Sequence, residues 1–153
     1  MPTLAESPAL NIRLQSAVVS ILSGIDALAD VTITEAVTDD SIATPFISVS
    51  SSRARERIYN SGVYEFDVGI HLKTTMGDGP KALSDSDFVA VDAGIEEAIW
   101  GESAIDLAAA INSNGSFIKC FSTIGHRSEP VAFDETKREI LYSFTAICAT
   151  ASE

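Results

Sequence analysis

Positive charge, cysteine and long apolar runs are all scarce in this sequence. Its 153 residues hold 10 Lys and Arg against 22 Asp and Glu, a formal charge of −12, and a pI near 4.4. So few cations argue against a protein that grips nucleic acid by neutralising phosphates, because that task needs a surplus of Lys and Arg on one surface. The two cysteines, Cys120 and Cys148, sit in apolar strand-like runs and read as small buried hydrophobes. A disulfide framework is not expected in a domain of this size. No run approaches the roughly 18 apolar residues of a membrane span, and the opening Met-Pro-Thr-Leu-Ala-Glu-Ser-Pro has no positive n-region. The expectation is a soluble chain without a secretion signal. Core material is plentiful: 46% of residues are hydrophobic and the mean hydropathy is +0.19, which suits a folded domain and not an acidic tail.

The pattern along the chain predicts an N-terminal arm over 1–10, with Pro2 and Pro8, followed by a single α+β domain over 11–150. Leu14, Val18, Ile21, Leu22, Ile25 and Leu28 form one apolar stripe, so a helix is expected from about Asn11 to Ala29. Val31–Val37 alternates loosely and suits a short strand. Phe46, Ile47 and Val49 follow Pro45 and suggest a strand whose proline lies at its start or on an edge. Tyr64, Phe66, Val68, Ile70 and Leu72 alternate with Glu65, Asp67, Gly69 and His71, a strand with one buried and one wet face. Turn residues at Tyr59-Asn60-Ser61-Gly62 join the two into a long hairpin.

Ser84-Asp85-Ser86-Asp87 offers an N-cap and acidic first turn for a helix carrying Phe88, Val91, Ile95 and Ala98 or Ile99. Gly101 interrupts it, and a short second piece, Ala104–Ile111, is expected to stop at Asn112-Ser113-Asn114-Gly115. Phe117–Ile124 and Glu139–Ala149 read as two more strands. The last is apolar on both parities, so it is expected to be central and covered on both sides. Grouped helices and strands favour α+β: an antiparallel or mixed sheet of about four strands, with two main helices packed on one face.

The only basic cluster is Arg53, Arg55 and Arg57, spaced to share one face of a strand. With Tyr59 opposite Val63, Arg57 falls opposite Glu65 and Arg55 opposite Asp67. One reading makes them cross-strand ion pairs on the wet face, each contributing about 0.2 to 1 kcal/mol. A second has the hairpin project to meet an acidic surface of another subunit, and a third has it touch phosphate. His71 and His126 lack any partner at metal-ligand spacing and read as solvated. No serine occupies a G-x-S-x-G elbow, and neither cysteine is flanked by groups that would lower its pKa. Asp78, Asp85 and Asp87 do not match a calcium loop, and Gly77-Asp78-Gly79-Pro80-Lys81 lacks phosphate-loop spacing. No catalytic, metal or cofactor site is therefore assigned. Trp100, the only tryptophan, suits a core anchor or an interface anchor.

The order of a helix near residue 11, Pro45-Phe46-Ile47-Ser48-Val49-Ser50, an Arg-bearing hairpin into Tyr64–Leu72, a loop and helix, and a final Leu141-Tyr142-Ser143-Phe144-Thr145-Ala146 resembles the tail-terminator or tail-completion proteins of tailed bacteriophages. The resemblance covers about residues 11–149 and is one of order and pattern. It implies a non-enzymatic structural virion protein that needs no cofactor. In that family the subunits form a ring, usually of six, that caps the tail tube, joins it to the neck and surrounds the DNA channel. The partners implied are other copies of the chain, the tail tube protein and the neck or connector protein, with DNA passing through and no membrane. The expected location is the virion tail or neck, after synthesis in the host cytoplasm. Family interfaces follow sheet edges and extended hairpins, which map here to residues 53–62 and 75–83. The interface candidates are Arg53, Arg55, Arg57, Tyr59, Met76, Asp78 and Lys81. A ring would multiply the acidic charge and let DNA slide past without sticking. A head-to-tail connector or minor tail protein is the alternative within the particle, and a monomeric small-ligand binding module is the alternative of another class.

Overall fold

Five strands form one mixed sheet in the order β1-β2-β3-β5-β4. The computed structural model describes residues 10–35, 45–56, 62–77, 82–100, 104–115 and 118–150, without the side chains of 53–56, 100, 104–106 and 150. In chain order the elements are α1 (Leu10–Ser23), a short 3-10 turn (Asp26–Leu28), β1 (Thr32–Glu35), β2 (Phe46–Glu56), β3 (Val63–Thr75), α2 (Asp85–Trp100), α3 (Ala104–Asn114), β4 (Ile118–Phe133) and β5 (Lys137–Thr150). β1 runs parallel to β2, and every other neighbour pair is antiparallel. The fold is α+β, with the helices packed against the sheet.

In β3 and β5 the most deeply buried residues fall on one parity. Phe66, Val68, Ile70 and Leu72 of β3 and Tyr142, Phe144, Ala146 and Cys148 of β5 are all at most 2% exposed. They meet Leu14, Ala17, Val18 and Leu22 of α1, Phe88, Val91, Ile95 and Ile99 of α2, and Leu107 and Ile111 of α3 in one cluster. Each fully buried aliphatic or aromatic side chain contributes about 1.5 to 3 kcal/mol. The α2 start is capped as its sequence predicts, with the Asp87 N–H donating to Ser84 Oγ at 3.2 Å. α1 stops at Ser23, just before Gly24, and the expected remainder of that helix tightens into the 3-10 turn. α3 runs to Asn114, so it ends inside the expected stop Asn112-Ser113-Asn114-Gly115.

The strands depart from expectation in three ways. The sheet has five strands where about four are expected, because the short strand expected within Val31–Val37 joins it as β1, parallel to β2. β4 extends to Phe133 instead of ending at Ile124, despite Gly125 and Pro130, because it is an edge strand that absorbs both. Register shifts fall at Cys120/Ser122, Ile124/Arg127 and Pro130/Ala132, and Gly125 sits at φ +67, where a bulge favours glycine. β5 is interior, but the helices cover only one of its faces. On the other, Ile147 is buried, while Leu141, Ser143 and Thr145 are half-buried.

Candidate assembly surfaces

Three surfaces remain once the core is assigned: the two edges of the sheet and the face without helices. That open face is polar. His71 Nε2 lies 3.1 Å from Glu139 Oε2, Thr145 Oγ1 donates to Asp67 Oδ1 at 3.1 Å, and Arg127 Nε donates to Ser143 Oγ at 3.1 Å. His71 is thus paired instead of merely solvated. His126 is held as well: its Nε2 is 2.9 Å from Thr123 Oγ1 and its ring lies 5.8 Å from that of Phe144. Burial pushes its imidazole below the ordinary value.

The edges are blunted by one device used twice. Beyond the last residue covered by β1, the Ser51 N–H of β2 donates to Gln15 Oε1 of α1 at 3.0 Å, and Ser51 Oγ donates to the Asn11 carbonyl at 2.7 Å. At the other edge the Asn112 side chain of α3 holds Cys120 of β4: its Oδ1 accepts from the Cys120 N–H at 2.6 Å and its Nδ2 donates to the Cys120 carbonyl at 2.9 Å. Each amide satisfies edge groups that would otherwise template a further strand. Gln15 explains its own burial in this way.

The rest of β4 is different. Phe121, Ile124, Val131 and Phe133 are 50%, 47%, 54% and 60% exposed, and no strand lies outside β4 among the described residues. A long edge carrying four large apolar side chains is what soluble monomers avoid and interfaces use. Its far end packs against β5 and α2. Arg138 of β5 lies over the rings of Phe88 and Phe133, at 5.2 and 4.7 Å, and its Nη2 pairs with Asp85 Oδ1 of α2 at 3.1 Å. Nearby, the Tyr142 hydroxyl donates to Asp92. Burial, and then the Asp92 charge, hold the Glu96 carboxyl above its usual range. Sequence reading missed this edge because it ended the strand at Ile124; the run Pro130-Val131-Ala132-Phe133 was the available signal.

The described members of the expected interface set lie in the two separate segments expected of them. Arg53 and Arg55 lie in β2 at one end of the sheet, and Met76 follows β3 at the other, some eleven residue steps or about 35 Å of strand away. The pairing of Arg55 is corrected: a register shift between Arg53 and Arg55 sets Arg53 opposite Phe66 and Arg55 opposite Glu65, not Asp67. The extra residue breaks the alternation, so positions 53 and 55 pair with residues of opposite faces. Met76 is 8% exposed and belongs to the core cluster; its N–H donates to the Thr136 carbonyl at 2.9 Å and so ties the loop base to the β4–β5 turn. Arg57, Tyr59, Asp78 and Lys81, and the side chain of Trp100, lie outside the described residues.

Among the described residues no group of three His, Cys, Asp or Glu side chains could hold a metal ion, and no helix is long and apolar enough to cross a membrane. No protein-family model matches the sequence, and no curated protein does. The fold is similar to that of a chain in a solved structure described as the virion of a native gene transfer agent (GTA) particle. That likeness has a TM-score of 0.54 at 17% identity, and covers 94% of this chain and 100% of that one. At such identity the shared property is the fold.

Proposed function

We propose that this chain is a structural virion protein of a phage-like particle, and within it a tail-terminator or tail-completion subunit. The observation that carries the reading is the likeness to a gene transfer agent virion chain, which spans nearly the whole of both chains. The reading assigns the protein no enzymatic activity.

In this reading six copies form a ring that caps the tail tube, meets the neck and lets DNA pass. A ring needs a heterologous contact, in which one surface meets a different one on the next copy. The β4 edge from Phe121 to Phe133 supplies an apolar surface of that kind. Arg53 and Arg55 at one end of the sheet, with Arg57 and Tyr59 after them in sequence, and Asp78 and Lys81, which follow Met76 in sequence, then serve contacts to the tube or neck. Met76 itself belongs to the core.

The test is removal of the protein from the particle that encodes it. The expected result is tails of irregular length that do not join heads. Uniform tails left unjoined would move the chain to a connector role, and normal joined particles would refute the reading. In the purified protein, Phe121→Lys with Val131→Lys should abolish rings in electron micrographs while leaving circular dichroism unchanged; a monomer at all concentrations, on or off the tube, would point instead to a binding module.

A further inference from the structure

Cys120 and Cys148, far apart in sequence, are direct Cα partners in the antiparallel ladder of β4 and β5. Both are free thiols, both are buried, and they share the core face of the sheet. The kind of pairing decides what they can do. The N–H and C=O of one strand residue point to the same side, and those of Cys120 both point to Asn112, away from β5. Cys120 and Cys148 therefore form a non-hydrogen-bonded pair. In such pairs the Cα atoms are about 4.5 Å apart and the side chains are at their closest, within the roughly 4.4 to 6.8 Å that a disulfide spans.

The surroundings give this pair an order of reaction and a route of access. The Cys120 thiol donates to the Ser122 carbonyl at 3.5 Å; the Cys148 sulfur beside it brings the Cys120 thiol down, and the same pairing together with burial pushes the Cys148 thiol up. Cys120 is thus the sulfur that ionises first. It also lies on the edge strand, one residue before a register shift, where an interrupted ladder opens more readily than an unbroken interior one.

We propose that Cys120 and Cys148 are an oxidation site, closing as a reversible cross-strand disulfide that staples the edge strand β4 to β5 when the protein meets a peroxide. Cys120 Sγ attacks one peroxide oxygen, the O–O bond breaks, and the departing hydroxide leaves with the thiol proton as water, giving a sulfenic acid. Cys148 Sγ then attacks the Cys120 sulfur, the S–O bond breaks, and hydroxide leaves with the Cys148 proton as a second water. Two thiols and one hydrogen peroxide give one disulfide and two waters. The inference does not rest on the assembly reading above.

Hydrogen peroxide treatment of the folded protein, followed by intact mass measurement, should show the loss of two hydrogens and of both titratable thiols, with a single chain on a non-reducing gel and full reversal by dithiothreitol. In Cys148→Ala the reaction should stop at a sulfenic acid on Cys120 that dimedone traps. A glutathione redox buffer removes access as a confounder: the ratio of disulfide to dithiol at equilibrium should be at least tenfold higher in the folded chain than in the urea-unfolded chain. A ratio equal or lower in the folded chain, or a product dominated by sulfinic acid or by chain-to-chain disulfides, would overturn the proposal.

Discussion

Replacing Asn112 with alanine tests the claim that a helix side chain closes the β4 edge. The amide makes two hydrogen bonds to Cys120, at 2.6 and 2.9 Å, and Cys120 is 3% exposed. Each bond contributes about 1 kcal/mol net, and a buried backbone group left unpaired costs about 1 to 3 kcal/mol. Because Asn112 is itself exposed, water reaches part of the vacated site, so the combined loss is about 2.5 kcal/mol. Alanine is the better helix former by about 0.5 kcal/mol, which leaves about 2 kcal/mol. For 153 residues at about 2.1 cal/mol/K each, the unfolding entropy is about 320 cal/mol/K, and the expected fall in Tm is about 6 °C. Differential scanning calorimetry reads the Tm, and amide exchange at Cys120 reads the bond itself, which should lose protection. Asn112→Asp keeps the acceptor and loses the donor, so it should fall between the two. A Tm lowered by less than about 1.5 °C, with Cys120 exchange unchanged, would refute the capping argument.

Two further outcomes follow from single residues. A Cβ at Gly115 would overlap the Ile118 Cγ2 methyl and crowd the Ile111 carbonyl oxygen at 3.0 Å, so Gly115→Ala should lower stability by about 1 to 3 kcal/mol in urea unfolding; an unchanged midpoint would show that the α3–β4 connection yields freely. Burial holds the folded His126 below its ordinary value of 6.5, so its contribution is present above that pH and is lost as pH falls through the folded value. The raised Glu96 carboxyl acts with the opposite sign, since acid relieves its burial. His126→Gln leaves Glu96 untouched and should therefore flatten the fall in stability between about pH 7.5 and about pH 5.5; an unaltered profile would remove His126 from the account.

Much of the architecture is written in local pattern. The alternation from Tyr64 to Leu72 specifies β3 and its buried face, since each side chain position on a strand has one of two faces. The α2 stripe and its Ser84 cap are equally legible, as both depend on residues within one or two turns. Where the chain departs from rule, the reading fails. Gly125 and Pro130 look like strand ends and are instead bulges tolerated at a sheet edge. A single extra residue between Arg53 and Arg55 shifts the pairing, so that they stand opposite the consecutive residues Phe66 and Glu65. His71 and Glu139 carry no sign of each other in sequence, because their contact exists only once β3 and β5 are neighbours.

The scarcities of the opening thus divide into two kinds. The shortage of cations and of long apolar runs belongs to the sequence by itself, because charge and hydropathy add up residue by residue whatever the fold. The meaning of the two cysteines does not. Whether Cys120 and Cys148 are isolated core fillers or a reactive pair depends on strand order, register and which way the Cys120 amide points. The same holds for which stretch of each edge is capped and which stretch of β4 is left apolar. Those are relations between distant segments, set by how the helices and strands pack together, and only the tertiary structure decides them.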